Sequence, residues 1–337
     1  MTDYFEHVAA FVELVEELKA QVHGPGGRFV AGGGKVPGAP KPVEPHLTGG
    51  GRVRGGAGRF VSKKPVAGGT AVVEKPKTAL EELVSKPIKN GQEIPNNLIE
   101  SGERTAVGVG SYNAPMKVTL GDKAYFIKTT DNPQGFGGLS REQVLNNELR
   151  APALGQAMGL EMNPVGILQH PHLGTLVVQD WVEGALPAHA IDARPIVKAL
   201  SSDTGTKLLM LEYLSGDRDR HSSNLMVVGG QVREIDFGFS QQKTVGVSFG
   251  RSYLADHMNE RGAPISPMAI RSVLSKREAI LKAVEPFSSP SAVKIMTKRL
   301  DRLEKAYALM VERQNRGEMR GLVTPFAFQQ CLLDAMD

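Results

Sequence analysis

The sequence predicts an α+β fold of two lobes, a small lobe built on a mostly antiparallel sheet and a larger helical lobe, reached through a long N-terminal tether. Three observations predict it. Between residues 78 and 183, short strand-like runs separated by turn signals surround one long helical pattern. Beyond Gly184 helical spacings dominate, as in Ile295, Leu300, Leu303, Ala306, Leu309 and Met310. Ahead of both, residues 21–77 hold 15 Gly and 7 Pro, too little apolar matter to offset the entropy lost on folding.

The chain has 337 residues, enough for one large two-lobed domain with attachments. Its single cysteine, Cys331, excludes an intramolecular disulfide and a cysteine-based zinc cluster, so a reducing compartment is expected. No apolar run reaches the roughly 18 residues of a membrane span, and the first residues lack a basic secretory n-region. A soluble protein of the cytoplasm is the expectation.

The net charge of +4 is unevenly spread. Residues 1–20 carry one Lys against five acids, residues 21–77 carry ten Lys or Arg against two Glu, and residues 78–337 balance to zero. The excess positive charge therefore belongs to the tether, and nucleic-acid binding is expected at most as a weak contact of that basic linker.

Taken in order, residues 3–20 place Tyr4, Phe5, Val8, Phe11, Val12, Val15 and Leu18 on one helical stripe between charged residues. Such a helix is marginal alone and must bury its stripe against the body, a second copy or another protein, and the sequence does not choose among them. The linker 21–77, expected to be disordered, repeats Gly27-Arg28-Phe29-Val30-Ala31 as Gly58-Arg59-Phe60-Val61-Ser62. Both a remnant of duplication and a basic-aromatic docking motif fit this repeat.

From Thr78 the texture changes, with Thr78-Ala79-Leu80-Glu81 opening a capped helix. Val107–Val109 and Met116–Leu120 are expected strands, and Gly121-Asp122 a hairpin turn leading into Lys123–Lys128. A helix is expected from Ser140 to about Gly159, then a hairpin from Val165–Gln169 to Thr175–Val182 across His170-Pro171-His172. The two histidines, without a third ligand at familiar spacing, fit a solvated turn better than a metal site. The expected division is a small lobe over 78–183 and a helical lobe over 184–337.

The chemistry-bearing stretch is Gly216-Asp217-Arg218-Asp219-Arg220-His221-Ser222-Ser223-Asn224, a short strand, a Gly229-Gly230 turn and a second strand ending Ile235-Asp236-Phe237-Gly238. This order brings Asp219, Asn224 and Asp236 to adjacent ends of one hairpin. Oxygen donors of that kind suit Mg²⁺, which accepts one or two carboxylates plus phosphate oxygens and water. Phosphoryl transfer needs such a site because charge gathers on the transferred group.

Asp219-Arg220-His221-x-x-Asn224 followed by Asp236-Phe237-Gly238 resembles the catalytic and metal-binding loops of phosphoinositide 3- and 4-kinases and of the wider protein-kinase-like superfamily that includes HipA-like kinases. The resemblance implies a kinase-like fold using ATP and Mg²⁺. Asp219 would orient or deprotonate the acceptor hydroxyl, His221 would stand beside it, and Asn224 and Asp236 would bind metal. Asp217 is a rival for the base, and His221 may equally be a packed residue of the loop. The strand ending at Lys128 is similar to the kinase third strand, so Lys128 would meet the nucleotide phosphates and a helical Glu, either Glu148 or, in the first turn, Glu142.

Gly108-Val109-Gly110-Ser111 resembles a shortened glycine-rich loop whose N–H groups would cradle phosphate, although an ordinary turn also fits. Trp181-Val182-Glu183-Gly184 stands where a kinase hinge meets adenine, which makes Glu183 a nucleotide contact by order alone. Residues 241–261 are too weakly basic to suggest an inositol lipid, so the expected acceptor is a Ser or Thr hydroxyl of a protein. AMP transfer by the same fold, or a binding role without turnover, remain the rivals. The Gly-Arg-Phe-Val units also resemble tails of bacteriophage-encoded proteins, which would fit a virion- or host-directed role.

Overall fold

The computed structural model of the chain describes residues 78–107, 115–130, 139–187, 202–217, 221–238, 240 and 252–336, with positions 196 and 200. The expected helix over 3–20, the linker over 21–77 and both Gly-Arg-Phe-Val units lie outside the described residues.

Helix α1, Ala79–Ser85, starts from a capping box in which Thr78 Oγ1 accepts from the Glu81 N–H at 3.2 Å and the Thr78 N–H donates to Glu81 at 2.7 Å. Strand β1 (Glu93–Ile94), the short helix α2 (Leu98–Ser101) and strand β2 (Glu103–Ala106) follow. Strands β3 (Met116–Leu120) and β4 (Lys123–Thr129) form the expected hairpin, turning at Gly121 with φ 62°, a left-handed value glycine adopts without penalty.

One expected strand is displaced. The partner of β3 is β2, paired from Glu103↔Thr119 to Ala106↔Met116. Of the expected Val107–Val109, only Val107 is described, and its N–H bonds the Pro115 carbonyl at 3.0 Å, just past the end of the ladder. The apolar valines suggested a strand, whereas Glu103-Arg104-Thr105-Ala106 is a polar edge strand whose alternation is weak in sequence.

Helix α3, Arg141–Met158, runs from the Ser140 cap to Gly159 at φ 83°. Strands β5 (Gly166–His170) and β6 (Gly174–Asp180) complete a six-stranded sheet of order β1-β5-β6-β4-β3-β2, antiparallel except where β1 runs parallel to β5. At the hairpin tip, His170 Nε2 meets Glu100 at 2.7 Å while its Nδ1 accepts from the N–H groups of His172 and Leu173, so His170 staples the turn.

One face of the sheet, with Val118, Tyr125, Ile127, Leu168 and Val178, packs against Leu83 of α1 and Leu98 and Ile99 of α2. The other face packs Val165 and Val177 on Leu149 of α3. Successive residues of β4 alternate between these faces, so Tyr125 and Ile127 enter the first core while Phe126 and Lys128 turn to the second face.

The second lobe contains β7 (Leu186–Pro187), helix α4 (Asp203–Ser215), and strands β8 (Leu225–Val228) and β9 (Gln231–Glu234), which make a three-stranded sheet β7-β8-β9. Helices α5 (Tyr253–Glu260), α6 (Pro267–Leu274), α7 (Arg277–Val284), α8 (Pro290–Asn315) and α9 (Pro325–Asp334) surround α4. Leu208, Leu209, Leu211 and Leu214 of α4 share a core with Ile270, Ile280, Leu300, Leu303 and Phe328. Ala151, Leu154 and Met158 from the second half of α3 join this core, so α3 serves both lobes and is buried nearly all round. The architecture is a mixed α+β fold in two lobes, with the layout of a kinase-like fold.

Candidate active site

The site is assembled from the second sheet face, α3 and the turn after β9. Lys128 Nζ lies 2.6 Å from Glu148 Oε1 and 2.8 Å from Asp236 Oδ1. Lys128 and Glu148 are almost wholly buried, whereas the Asp236 side chain is 31% exposed, so the ion cluster opens toward solvent through Asp236. Burial alone would lower the Lys128 pKa, but the charges of Asp236 and Glu148 outweigh it and hold the ammonium above its ordinary value. Burial, reinforced by the Asp236 charge, pushes Glu148 up against the pull of Lys128. A backbone hydrogen bond from Phe237 also helps keep Glu148 ionised.

The turn that presents Asp236 is tightly specified. Asp236 has φ 62°, the sole non-glycine among the described residues in the left-handed region. Gly238 has no room for a side chain, since a Cβ there would stand 3.0 Å from Glu148 Oε1 and 3.2 Å from Val144 Cγ1. Asn147 Nδ2 donates to the carbonyls of Gly238 at 2.9 Å and Ser240 at 2.7 Å, locking the turn to α3. Sequence reasoning quoted Asn147 only as the neighbour of Glu148; a polar residue at a helical position that also carries buried groups was the available signal.

Asn224 ends a 3₁₀ turn over Ser222–Asn224, is buried, and accepts at its carbonyl from the Ile235 N–H at 2.9 Å. Because β8 and β9 pair from Leu225↔Glu234, Asn224 and Asp236 leave adjacent strand ends. Together they offer an amide and a carboxylate, hard oxygen donors that fit Mg²⁺. Among the described residues no three His, Cys, Asp or Glu side chains converge on a metal position, so such an ion would draw its other ligands from nucleotide phosphates and water.

The remaining candidates are distributed as follows. Gly108, Gly110, Ser111 and Asp219 lie outside the described residues. His221 is exposed and its carbonyl accepts from the Asn224 N–H at 3.0 Å. Asp217, the rival base, is buried and accepts from Ser240 Oγ at 3.2 Å, a second tie on the segment after Gly238. Glu142 is exposed in the first turn of α3, away from Lys128.

Beside the ion cluster, a cavity of about 170 Å³ lies between the lobes, with Val107, Phe126 and Trp181 on one side, Met226 and Ile235 on the other, and Val182 at the connection. Phe126 precedes Lys128 by two on the same strand face, and Ile235 precedes Asp236. Trp181 and Val182 line this cleft. Glu183 does not; its carboxylate is exposed, 3.7 Å from Lys117, whose ammonium also sits 4.6 Å from the Trp181 ring centre. The apolar lining was missed in the sequence, although the two-residue period back from Lys128 marks Phe126.

No protein-family model matches the chain, and no curated protein matches it. Among solved structures it is similar to the Helicobacter pylori proinflammatory kinase CtkA, at 11% sequence identity over 69% of this chain and 96% of that chain, with a TM-score of 0.41.

Proposed function

We propose that the protein is a Mg²⁺- and ATP-dependent phosphotransferase acting on Ser or Thr hydroxyls of a protein. The observation that carries this reading is the buried Lys128 forked between Glu148 and Asp236 at the mouth of an apolar interlobe cleft. A flat apolar slot with a cation and a half-exposed carboxylate at one end suits an adenine ring with its phosphates toward the charges.

In this reading Phe126, Val182, Met226 and Ile235 sandwich the base and exclude water from it. Lys128 meets the nucleotide phosphates, and Glu148 fixes the position of the Lys128 ammonium. Asp236 and Asn224 would hold Mg²⁺, which offsets charge on the phosphates when bound. Asp219 orients the acceptor hydroxyl or takes its proton, with His221 beside it, and the Gly108–Ser111 segment covers the phosphates. These three roles rest on the sequence resemblance. Placing adenine by Trp181 and Val182 makes Glu183 a rim residue.

The test is intact-mass spectrometry of the protein and of a Ser/Thr-rich protein acceptor after incubation with ATP and Mg²⁺. Gain of one phosphate, lost in Asp219→Asn, is the expected result. Gain of AMP would assign the same site to nucleotidyl transfer, and no gain on any acceptor with intact ATP binding would assign it to a binding role.

A further inference from the structure

A second cavity, of about 380 Å³, lies on the opposite side of α3 from Lys128, among α3, Ser240 and the start of α8. Two long helices begin at it. Ser140 caps α3 and Ser289 caps α8, and Ser140, Gln143, Ser289 and Ala292 all line the space. Each helix N-terminus carries about half a positive charge and first-turn N–H groups directed outward.

The observation that points to a ligand is Arg150. It lines the cavity, is only 4% exposed, and carries a full positive charge. Its guanidinium bonds two neutral oxygens, Asn147 Oδ1 and, at 3.5 Å, the Phe287 carbonyl. Among the described residues no carboxylate pairs with it. Burial and the nearby charge of Arg299 pull its pKa down to about 10, so the protein surroundings disfavour its charge. Buried cations are ordinarily paired, because an isolated one costs several kcal/mol. The one acid lining the space, Glu142, is exposed in the first turn of α3.

We propose that this cavity is a binding site for a phosphate-class anion, which neutralises Arg150 and caps the facing ends of α3 and α8. A tetrahedral anion matches both the planar fork of arginine and helix N-terminal N–H groups. Free phosphate and a phosphorylated Ser or Thr side chain present the same oxygens, and both are sources of this chemistry. Occupancy bears on the active site through one residue: Asn147 accepts from Arg150 and donates to the carbonyls of Gly238 and Ser240, the turn that carries Asp236. An anion on Arg150 therefore stiffens the link between α3 and that turn. This site does not depend on the nucleotide reading.

The test uses the full chain, treated with phosphatase and freed of phosphate, with intact mass recorded before and after. Melting temperature is followed against inorganic phosphate, with chloride at matched ionic strength as control. The wild type is expected to show a saturable rise specific to phosphate. Arg150→Gln is expected to weaken apparent affinity at least about tenfold, as for loss of a charged bidentate partner. Ser289→Asp keeps a good helix cap but places a carboxylate at the site, so it should fold normally and lose the phosphate response even if Arg150→Gln proves unstable. A response that appears only after one phosphate has been removed from the chain identifies a side-chain phosphate as the natural occupant; a response without such loss identifies the free anion. Absence of a saturable wild-type response, or an unchanged response in Ser289→Asp, overturns the proposal.

Discussion

Glu148 and Arg150 stand two residues apart on α3, about 200° around the helix, and both are nearly fully buried. Glu148 faces the sheet and finds Lys128 at 2.6 Å. Arg150 faces the other way and finds only neutral oxygens. The same helix thus carries one buried charge whose compensation is built into the fold and one whose compensation is left to something that arrives. Deleting the partner of a satisfied charge strands the other charge, whereas deleting a charge that has no partner strands only a neutral acceptor.

The largest expected break on the Glu148 side is functional. Asp236→Asn keeps the size of the side chain but removes its charge from Lys128 and from the phosphate side, and turnover in the mass-spectrometric assay should fall at least about 100-fold. Lys128→Met should lose activity to a similar extent and also cost about 3 kcal/mol of folding stability by denaturant titration, because Glu148 keeps its burial and loses its cation. Its pH dependence has a definite sign. Glu148 already has a raised pKa, and without Lys128 the rise grows. Between the ordinary carboxylate pKa and that raised value the native state holds more protons than the unfolded one, so stability of Lys128→Met falls as pH climbs from about 4.5 toward neutrality.

A smaller effect is expected where α3 and the 236–238 turn touch. Gly238→Ala places a methyl 3.0 Å from Glu148 Oε1 and 3.2 Å from Val144 Cγ1, and the carboxylate cannot retreat without leaving Lys128. A stability loss of about 1 kcal/mol with a proportionally larger drop in turnover is expected, since the added atom moves a positioned charge. On the Arg150 side, Arg150→Met in phosphate-free buffer should change stability by no more than about 1 kcal/mol, the cost of leaving Asn147 Oδ1 without its donor. A loss as large as that of Lys128→Met would mean that Arg150 has a counter-charge within the chain, and the contrast between the two residues would collapse.

The parts legible in the sequence are those with a local cause. Ser140 and Gly159 bound α3 because a capping hydroxyl and a left-handed glycine act on their own helix ends. Thr78 with Glu81, and the Gly121 turn, were readable for the same reason. Lys128 and Asp236 stood out through the order of motifs, and the structure brings them within 2.8 Å across 108 residues of chain. Features that depend on distant packing were not legible. The choice of Glu103–Ala106 over Val107–Val109 as the strand depends on which segment reaches β3. The tie from Asn147 to Ser240 and the cavity around Arg150 need α3, the start of α8 and the turn to meet, and no local pattern announces that meeting. Glu183 was placed by order alone, and its side chain points to Lys117 and solvent instead of the cleft.

The most direct test of the central claim, that Lys128, Glu148 and Asp236 form a nucleotide-phosphate site, is calorimetric titration of ATP into the full chain with and without Mg²⁺, repeated for Asp236→Asn. Binding that is strengthened by Mg²⁺ in the wild type and indifferent to Mg²⁺ in Asp236→Asn is the predicted result. Wild-type protein that takes up no ATP at millimolar concentration in the presence of Mg²⁺, while remaining folded, would contradict it.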